Sequence, residues 1–176
     1  MKSNDLEYQH YYPIMLSELF ILAKPQKMKF SEHNVMLMDD VVTLLKPEAS
    51  LSGASISIKV NEPIPIIRCE ANQLKQVFIN IVKHSIEALA TSITIEISKI
   101  RDRVTVIIKD NGQGVEKARI RYLGESFYSS KKKGTGLGLT VSSRIIETHR
   151  GNITSESMLG KGTEVHLCLP INSHLQ

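Results

Sequence analysis

Two glycine clusters, with a basic loop between them, constrain this chain more than any other feature. The first reads Asp110-Asn111-Gly112-Gln113-Gly114 and the second Gly134-Thr135-Gly136-Leu137-Gly138-Leu139. Phe127, Tyr128 and the run Lys131-Lys132-Lys133 lie between them. Glycines at this spacing let the backbone bend sharply and approach a ligand closely. The second cluster opens onto an apolar pattern of helical period, and the unpaired N–H groups at such a helix start favour an anion. Together they predict a nucleotide pocket with a flap over its phosphates. A triple lysine alone is a solvated loop; its place between the clusters ties it to phosphate.

A chain of 176 residues, 41% of them hydrophobic, has room for one domain with a real core and a short appendage. Aromatic residues make up 5%, with no Trp, which leaves no stacking platform for single-stranded nucleic acid. Apart from Lys131 to Lys133 the basic residues are scattered and the net charge is only +4, so no nucleic-acid face is expected. Cys69 and Cys168 form no CxxC pattern and read as reduced core thiols. Met1 to Asp5 lacks the layout of a signal peptide. The apolar stretch Tyr11 to Ala23 is too short and too interrupted to span a bilayer. No membrane contact and a cytoplasmic location are therefore expected.

Tyr11, Tyr12, Met15, Leu16, Leu19, Phe20 and Ala23 recur at helical spacing before Pro25, which predicts an N-terminal helix whose apolar stripe either folds back on the domain or pairs with a second copy of itself, pairing being the preferred reading. A second helix is predicted over residues 34–51 and a strand over 54–60. A strong helix is predicted over 73–90, with Leu74, Val77, Phe78, Ile81, Val82, Ser85 and Leu89 as its buried stripe. Alternating apolar residues mark strands over 92–99 and 103–109, three residues apart and so a hairpin. The irregular stretch 110–134 is long for a compact domain and marks function. A helix over 134–149 and strands over 153–158 and 163–169 complete the chain. Helices and strands without regular βαβ alternation predict an α+β fold, with helices on one face of a mixed sheet.

Asp110 ends the strand Val104-Val106-Ile108, where its carboxylate can accept a hydrogen bond from an amino group such as that of adenine. An Asx turn into Gly112 explains an isolated Asp equally well. The ordered glycines downstream, ending in Gly162-Thr163, favour the ligand. On the helix, Gln76, Asn80 and His84 follow one another at i+4 on one flank, with Lys83 and Glu87 beside them.

Asn80-(x3)-His84, Asp110-x-Gly112-x-Gly114, Phe127, Gly134-x-Gly136-x-Gly138 and Gly162-Thr163 resemble, in order, the N, G1, F, G2 and GT motifs of the GHKL ATPases. The chain is most similar to the ATP-binding domain of bacterial sensor histidine kinases of the sporulation-kinase type, over roughly Phe30 to Pro170. The resemblance implies a Bergerat fold, a two-layer α/β sandwich with its lid between the glycine motifs. It implies that Asp110 binds the adenine amine with support from Thr163, and that Gly112 and Gly114 line the base. Lys83 and the lid lysines, Lys133 among them, would face the phosphates. Gly134, Thr135, Gly136, Leu137, Gly138 and Leu139 would wrap them with backbone N–H groups, and Phe127 belongs to the lid. Asn80 and His84 stand where Mg²⁺ is held. Residues 1–26 resemble a shortened second helix of the dimerisation and phosphotransfer hairpin. The implied organisation is that remnant, an ATP-binding domain over 27–172 and a tail over 173–176.

Two departures qualify the resemblance, and one further absence fits its kinase branch. The family carries a second Asn where this chain has His84, and Mg²⁺ prefers oxygen to imidazole, so weakened Mg-ATP handling is expected. None of His10, His33, His84, His149, His166 and His174 is followed by the acidic residue of a phosphoacceptor motif. Phosphoryl transfer therefore needs a hairpin supplied from elsewhere, with a response regulator as a further implied partner. Finally, Asn80 stands where chaperone and gyrase relatives place a general-base Glu, so fast ATP hydrolysis is not expected. The alternatives are a degenerate kinase-like module acting through protein contacts and, in the same superfamily, an anti-sigma-type serine kinase.

Overall fold

The computed structural model describes residues 29–34, 37–61, 63–115 and 138–171. The predicted N-terminal helix, the lid with Phe127 and Lys131 to Lys133, and Gly134, Thr135, Gly136 and Leu137 lie outside the described residues.

The elements run β1 (Ser31–Asn34), α1 (Leu37–Leu51), β2 (Ser55–Val60), β3 (Ile66–Cys69), α2 (Ala71–Glu87), β4 (Ser92–Ile100), β5 (Arg103–Asp110), α3 (Gly138–Thr148), β6 (Asn152–Met158) and β7 (Gly162–Pro170). Five strands form one mixed sheet in the order β2-β4-β5-β7-β6. Only β2 and β4 run parallel; the other pairs are antiparallel. The strands β1 and β3 make a separate two-stranded antiparallel sheet.

The period-two pattern decides which face is covered. Ile93, Ile95 and Ile97 of β4, Val104, Val106 and Ile108 of β5, and Val165, Leu167 and Leu169 of β7 are buried. They share the core with Met38, Val41 and Leu45 of α1, Leu74, Val77, Phe78, Ile81 and Val82 of α2, and Val141, Ile145 and Ile146 of α3. The α+β sandwich read from the sequence is the fold observed, and the hairpin of β4 and β5 has the expected strands, each one residue longer.

Four details differ from the sequence reading. Asn34 belongs to β1, so α1 starts later than residue 34. Neither β1 nor β3 was foreseen; at four residues each, they carry too few alternations to read. Helix α2 starts at Ala71, because the Glu70 carboxylate caps it by accepting from the Gln73 N–H at 2.8 Å. It ends at Glu87 rather than at 90, so Leu89 leaves the buried stripe and is 68% exposed.

All three described helices end in the same hydrogen-bonded turn. In α1 the Gly53 N–H donates to Ser50 O and the Ala54 N–H to Ala49 O. In α2 the corresponding pairs are Leu89 to Ile86 and Ala90 to Ser85; in α3 they are Arg150 to Glu147 and Gly151 to Ile146. This is the Schellman arrangement, whose pivot residue is left-handed. Gly53 fills that position in α1, but Leu89 (φ 59) and Arg150 (φ 56) fill it in α2 and α3.

A buried histidine joins the end of α3 to the start of α2. The Glu70 N–H donates to His149 Nε2 at 3.0 Å, and His149 Nδ1 lies 2.7 Å from Ile145 O. An acceptor Nε2 and a donor Nδ1–H define the neutral imidazole. Burial lowers its pKa, outweighing the Ile145 carbonyl and the Glu70 charge, which raise it. The Phe30 ring packs on it at 5.0 Å between centroids.

Candidate functional site

The alternation that points Val104, Val106 and Ile108 towards the helices also points Asp110 there, at the last position of β5. Its carboxylate is 6% exposed and held by three neutral donors. Oδ1 accepts from the Gly112 N–H at 2.8 Å and the Thr163 N–H at 3.2 Å, and Oδ2 accepts from the Ser85 hydroxyl at 2.9 Å. A carboxylate oxygen accepts about two hydrogen bonds, so Oδ2 keeps a position for a further donor. The Asx turn read from the sequence is present at Asp110, and Oδ2 keeps acceptor capacity beside it.

The loop after Asp110 is clamped from both sides. Asn111 Oδ1 accepts from the N–H groups of Thr91 and Ser92, both at 2.9 Å, and its Nδ2 donates to Thr91 Oγ1 at 2.9 Å. On the other side the Gly160 N–H donates to Gln113 O at 2.7 Å, and the Val115 N–H to Ser157 Oγ at 2.9 Å. Ser157 Oγ lies 2.9 Å from Thr163 Oγ1. Gly114 (φ 64) and Gly162 (φ 95) are left-handed where two backbones nearly touch. A Cβ on Gly114 would sit 2.0 Å from Met158 O, and one on Gly162 would sit 2.0 Å from Asp110 O. No other residue type fits either position.

A second cluster lies between α2 and α3. Gln76 Nε2 donates to Asn80 Oδ1 at 2.8 Å, and Asn80 Nδ2 donates to Gly138 O at 3.3 Å, while Ser142 Oγ donates to the same carbonyl at 2.8 Å. A Cβ on Gly138 would lie 3.1 Å from His84 Nε2, so the imidazole reaches the first described turn of α3. His84 Nδ1 is 3.7 Å from Glu87 Oε2. Lys83 Nζ lies 3.7 Å from Glu48 Oε2, on the α1 side of the helix. Leu139 is half-buried at the start of α3.

These donors do not suit Mg²⁺, which takes oxygen ligands in near-octahedral order. The Asn80 amide lies with Nδ2 towards Gly138 O at 3.3 Å and Oδ1 towards Gln76. What the helix presents to Gly138 is an amide N–H and an imidazole nitrogen, not an oxygen. Among the described residues there is no group of three or more His, Cys, Asp or Glu able to hold a metal.

The structure thus brings Asp110, Gly112 and Thr163 into one cluster, and Asn80, His84 and Gly138 into another, with α2 between them. Sequence reasoning missed Ser85, Asn111 and Ser157. Ser85 did leave a signal: it is a hydroxyl in an apolar stripe, and a buried hydroxyl requires a partner.

The family model for histidine kinase-, DNA gyrase B- and HSP90-like ATPases matches residues 69–173. Sporulation kinase E of Bacillus subtilis (strain 168) is 43% identical over 166 residues, covering 92% of this chain and 22% of the kinase. Sporulation kinase C of the same organism is 40% identical over 164 residues, covering 91% of this chain and 38% of the kinase. The chain therefore spans well under half the length of these relatives. Among solved structures, the nucleotide-free catalytic domain of histidine kinase ThkA aligns with a TM-score of 0.73 at 26% identity, over 82% of this chain and 97% of that domain. Full-length ShkA in complex with AMPPNP shares the fold, with a TM-score of 0.82 at 23% identity, over 93% of this chain and 36% of that protein. The chain belongs to the histidine kinase-, DNA gyrase B- and HSP90-like ATPase family, as an ATP-binding domain homologous to part of the sporulation kinases.

Proposed function

We propose that this chain binds ATP with the purine amine on Asp110 and the triphosphate along the α2–α3 side, and presents it to a histidine on a separate phosphoacceptor hairpin. The observation that carries this reading is the Asp110 carboxylate, buried at 6% exposure, fixed by Ser85, Gly112 and Thr163, with acceptor capacity left on Oδ2. Gly112 and Gly114 line the base, and Asn80, Lys83, His84, Gly138 and Leu139 belong to the phosphate side. In the described geometry Lys83 is turned to Glu48, so reaching phosphate requires a change of rotamer. Residues 27–172 form the catalytic unit and 1–26 the remnant of a pairing helix, through which the chain forms dimers. A response regulator is the onward partner.

The cytoplasm is the proposed location. Among the described residues no helix is long and apolar enough to cross a membrane. The reading as a purely interacting module is not favoured, since the relatives over most of the chain are kinases.

Titration with a fluorescent ATP analogue tests the binding step, with saturable binding expected and its loss in Asp110→Ala. A phosphoacceptor hairpin added in trans with γ-labelled ATP tests transfer. Label on the hairpin histidine is the expected result, and an unlabelled hairpin in the presence of demonstrated ATP binding overturns the transfer reading.

A further inference from the structure

Asn111 stands between Asp110 and Gly112, the residues assigned to the purine, and both ends of its amide reach the turn between α2 and β4. Oδ1 accepts from the Thr91 and Ser92 N–H groups, each at 2.9 Å, and Nδ2 donates to Thr91 Oγ1 at 2.9 Å. Two N–H donors on one atom settle which end of the amide is the oxygen. The turn is itself held from behind. Thr91 O accepts from the Ser55 N–H at 3.0 Å and from the Ser55 hydroxyl at 3.2 Å, at the start of β2. The glycine loop lies directly against this turn: the Gln113 N–H donates to Ala88 O at 2.9 Å, and a Cβ on Gly112 would sit 2.6 Å from the same carbonyl. The Gly112 N–H is one of the donors that fix Asp110 Oδ1, at 2.8 Å. A shift of Asn111 therefore reaches the buried carboxylate through the next residue. The three Asn111 bonds are themselves exposed, so losing them loosens the loop while the core stays packed.

We propose that Asn111 is a positioning residue for the purine, with Thr91 as its anchor: it touches no nucleotide atom, and it keeps Asp110 Oδ2 aimed at the place of the base amine. This rests on the nucleotide-binding reading above and adds to it how the base contact is held in place. A ligand that fits one loop position loses apparent affinity in proportion to the fraction of molecules that hold that position. The Asn111 clamp sets that fraction before the nucleotide arrives.

The whole chain is titrated by calorimetry with AMPPNP and with its guanine counterpart GMPPNP, for the native protein, Asn111→Ala and Asn111→Asp. Residue 111 is on the surface, so both variants are expected to fold. Guanine carries a carbonyl oxygen where adenine carries its amine, so the ratio of the two affinities reports the base contact rather than general integrity. The native chain is expected to favour AMPPNP by about tenfold or more. Asn111→Ala is expected to bind AMPPNP about tenfold more weakly while GMPPNP changes by less than about twofold, which flattens the ratio. Asn111→Asp keeps an oxygen for the two N–H groups, and the Thr91 hydroxyl can turn to donate to the other. Its added charge acts on both ligands alike, so the native ratio is expected to return. A native ratio in Asn111→Ala, or a flattened one in Asn111→Asp, overturns the positioning role and leaves ATP binding intact. Equal affinity of the native chain for the two ligands, or binding of neither, overturns the Asp110 reading on which the assignment rests.

Discussion

The Ser85 hydroxyl donates a 2.9 Å hydrogen bond to Asp110 Oδ2, joining the middle of one helix to the end of a strand between two side chains that are each less than a tenth exposed. The Ser85 oxygen also lies 3.4 Å from Ile81 O, the alternative acceptor on its own helix. The shorter contact, to a carboxylate, is the stronger one. Ser85→Ala is expected to cost about 1–3 kcal/mol of stability, measured by urea denaturation, because a buried carboxylate oxygen loses its donor. A loss below about 0.3 kcal/mol would show that water replaces the hydroxyl without penalty.

Asp110→Asn separates architecture from recognition. The amide oxygen still accepts from Gly112 and Thr163, and the Ser85 hydroxyl can turn to accept from the new Nδ2. The fold is expected to survive with a loss of under about 1.5 kcal/mol. An N–H now faces the place of the purine amine, and ATP-analogue affinity is expected to fall about 10- to 100-fold, as losing a charge-assisted bond requires. Calorimetric titration beside a melting curve checks both halves; unchanged affinity would remove Asp110 from the base contact.

Two glycines in one turn give a matched pair. A methyl added to Gly160 (φ 76) would meet nothing within 4 Å, whereas a Cβ on Gly162 (φ 95) would lie 2.0 Å from Asp110 O. Gly160→Ala is expected to cost about 1–2 kcal/mol, the left-handed penalty alone. Gly162→Ala is expected to cost clearly more, and to weaken nucleotide binding because the strand end carrying Asp110 has to move. Urea midpoints and analogue titrations on both variants make the comparison; equal effects would mean that the β6–β7 turn does not bear on the site.

His149 makes stability depend on pH in one direction. Burial lowers its folded pKa below the ordinary 6.5, so the unfolded chain takes up the proton first as pH falls. Its contribution is complete above about pH 6.5, shrinks below that, and is fully lost once the pH has dropped through the lowered folded value. Between pH 7.5 and 5 the native chain is expected to lose more stability than His149→Gln. Denaturation series at four pH values for both proteins measure the difference, and parallel curves would show that His149 is not the group responsible.

Some elements were legible in the sequence and others were not, for reasons that differ residue by residue. The strands β4, β5 and β7 were readable because isoleucine, valine or leucine recurs at every second position, and Asp110 continues the alternation of β5. Helix ends were less readable, since Leu89 and Arg150 occupy a left-handed position where the usual marker is glycine. Asn34 fell to the wrong element because β1 is held by its pairing with β3, a contact made only in the folded chain. Ser85 was correctly placed as buried, but its partner lies 25 residues away, and no local pattern encodes that distance. The orientation of Asn80 depends in the same way on Gly138, 58 residues on.

His84 and Ser85 are consecutive residues, yet one side chain reaches α3 and the other reaches β5. A roll of α2 about its own axis therefore shifts both clusters together and cannot adjust one while sparing the other. Helix α1 shares the core with α2 through Met38, Val41 and Leu45 and adds the surface pairs Lys75–Asp40 and Lys83–Glu48, so a displaced α1 bears on both clusters at once.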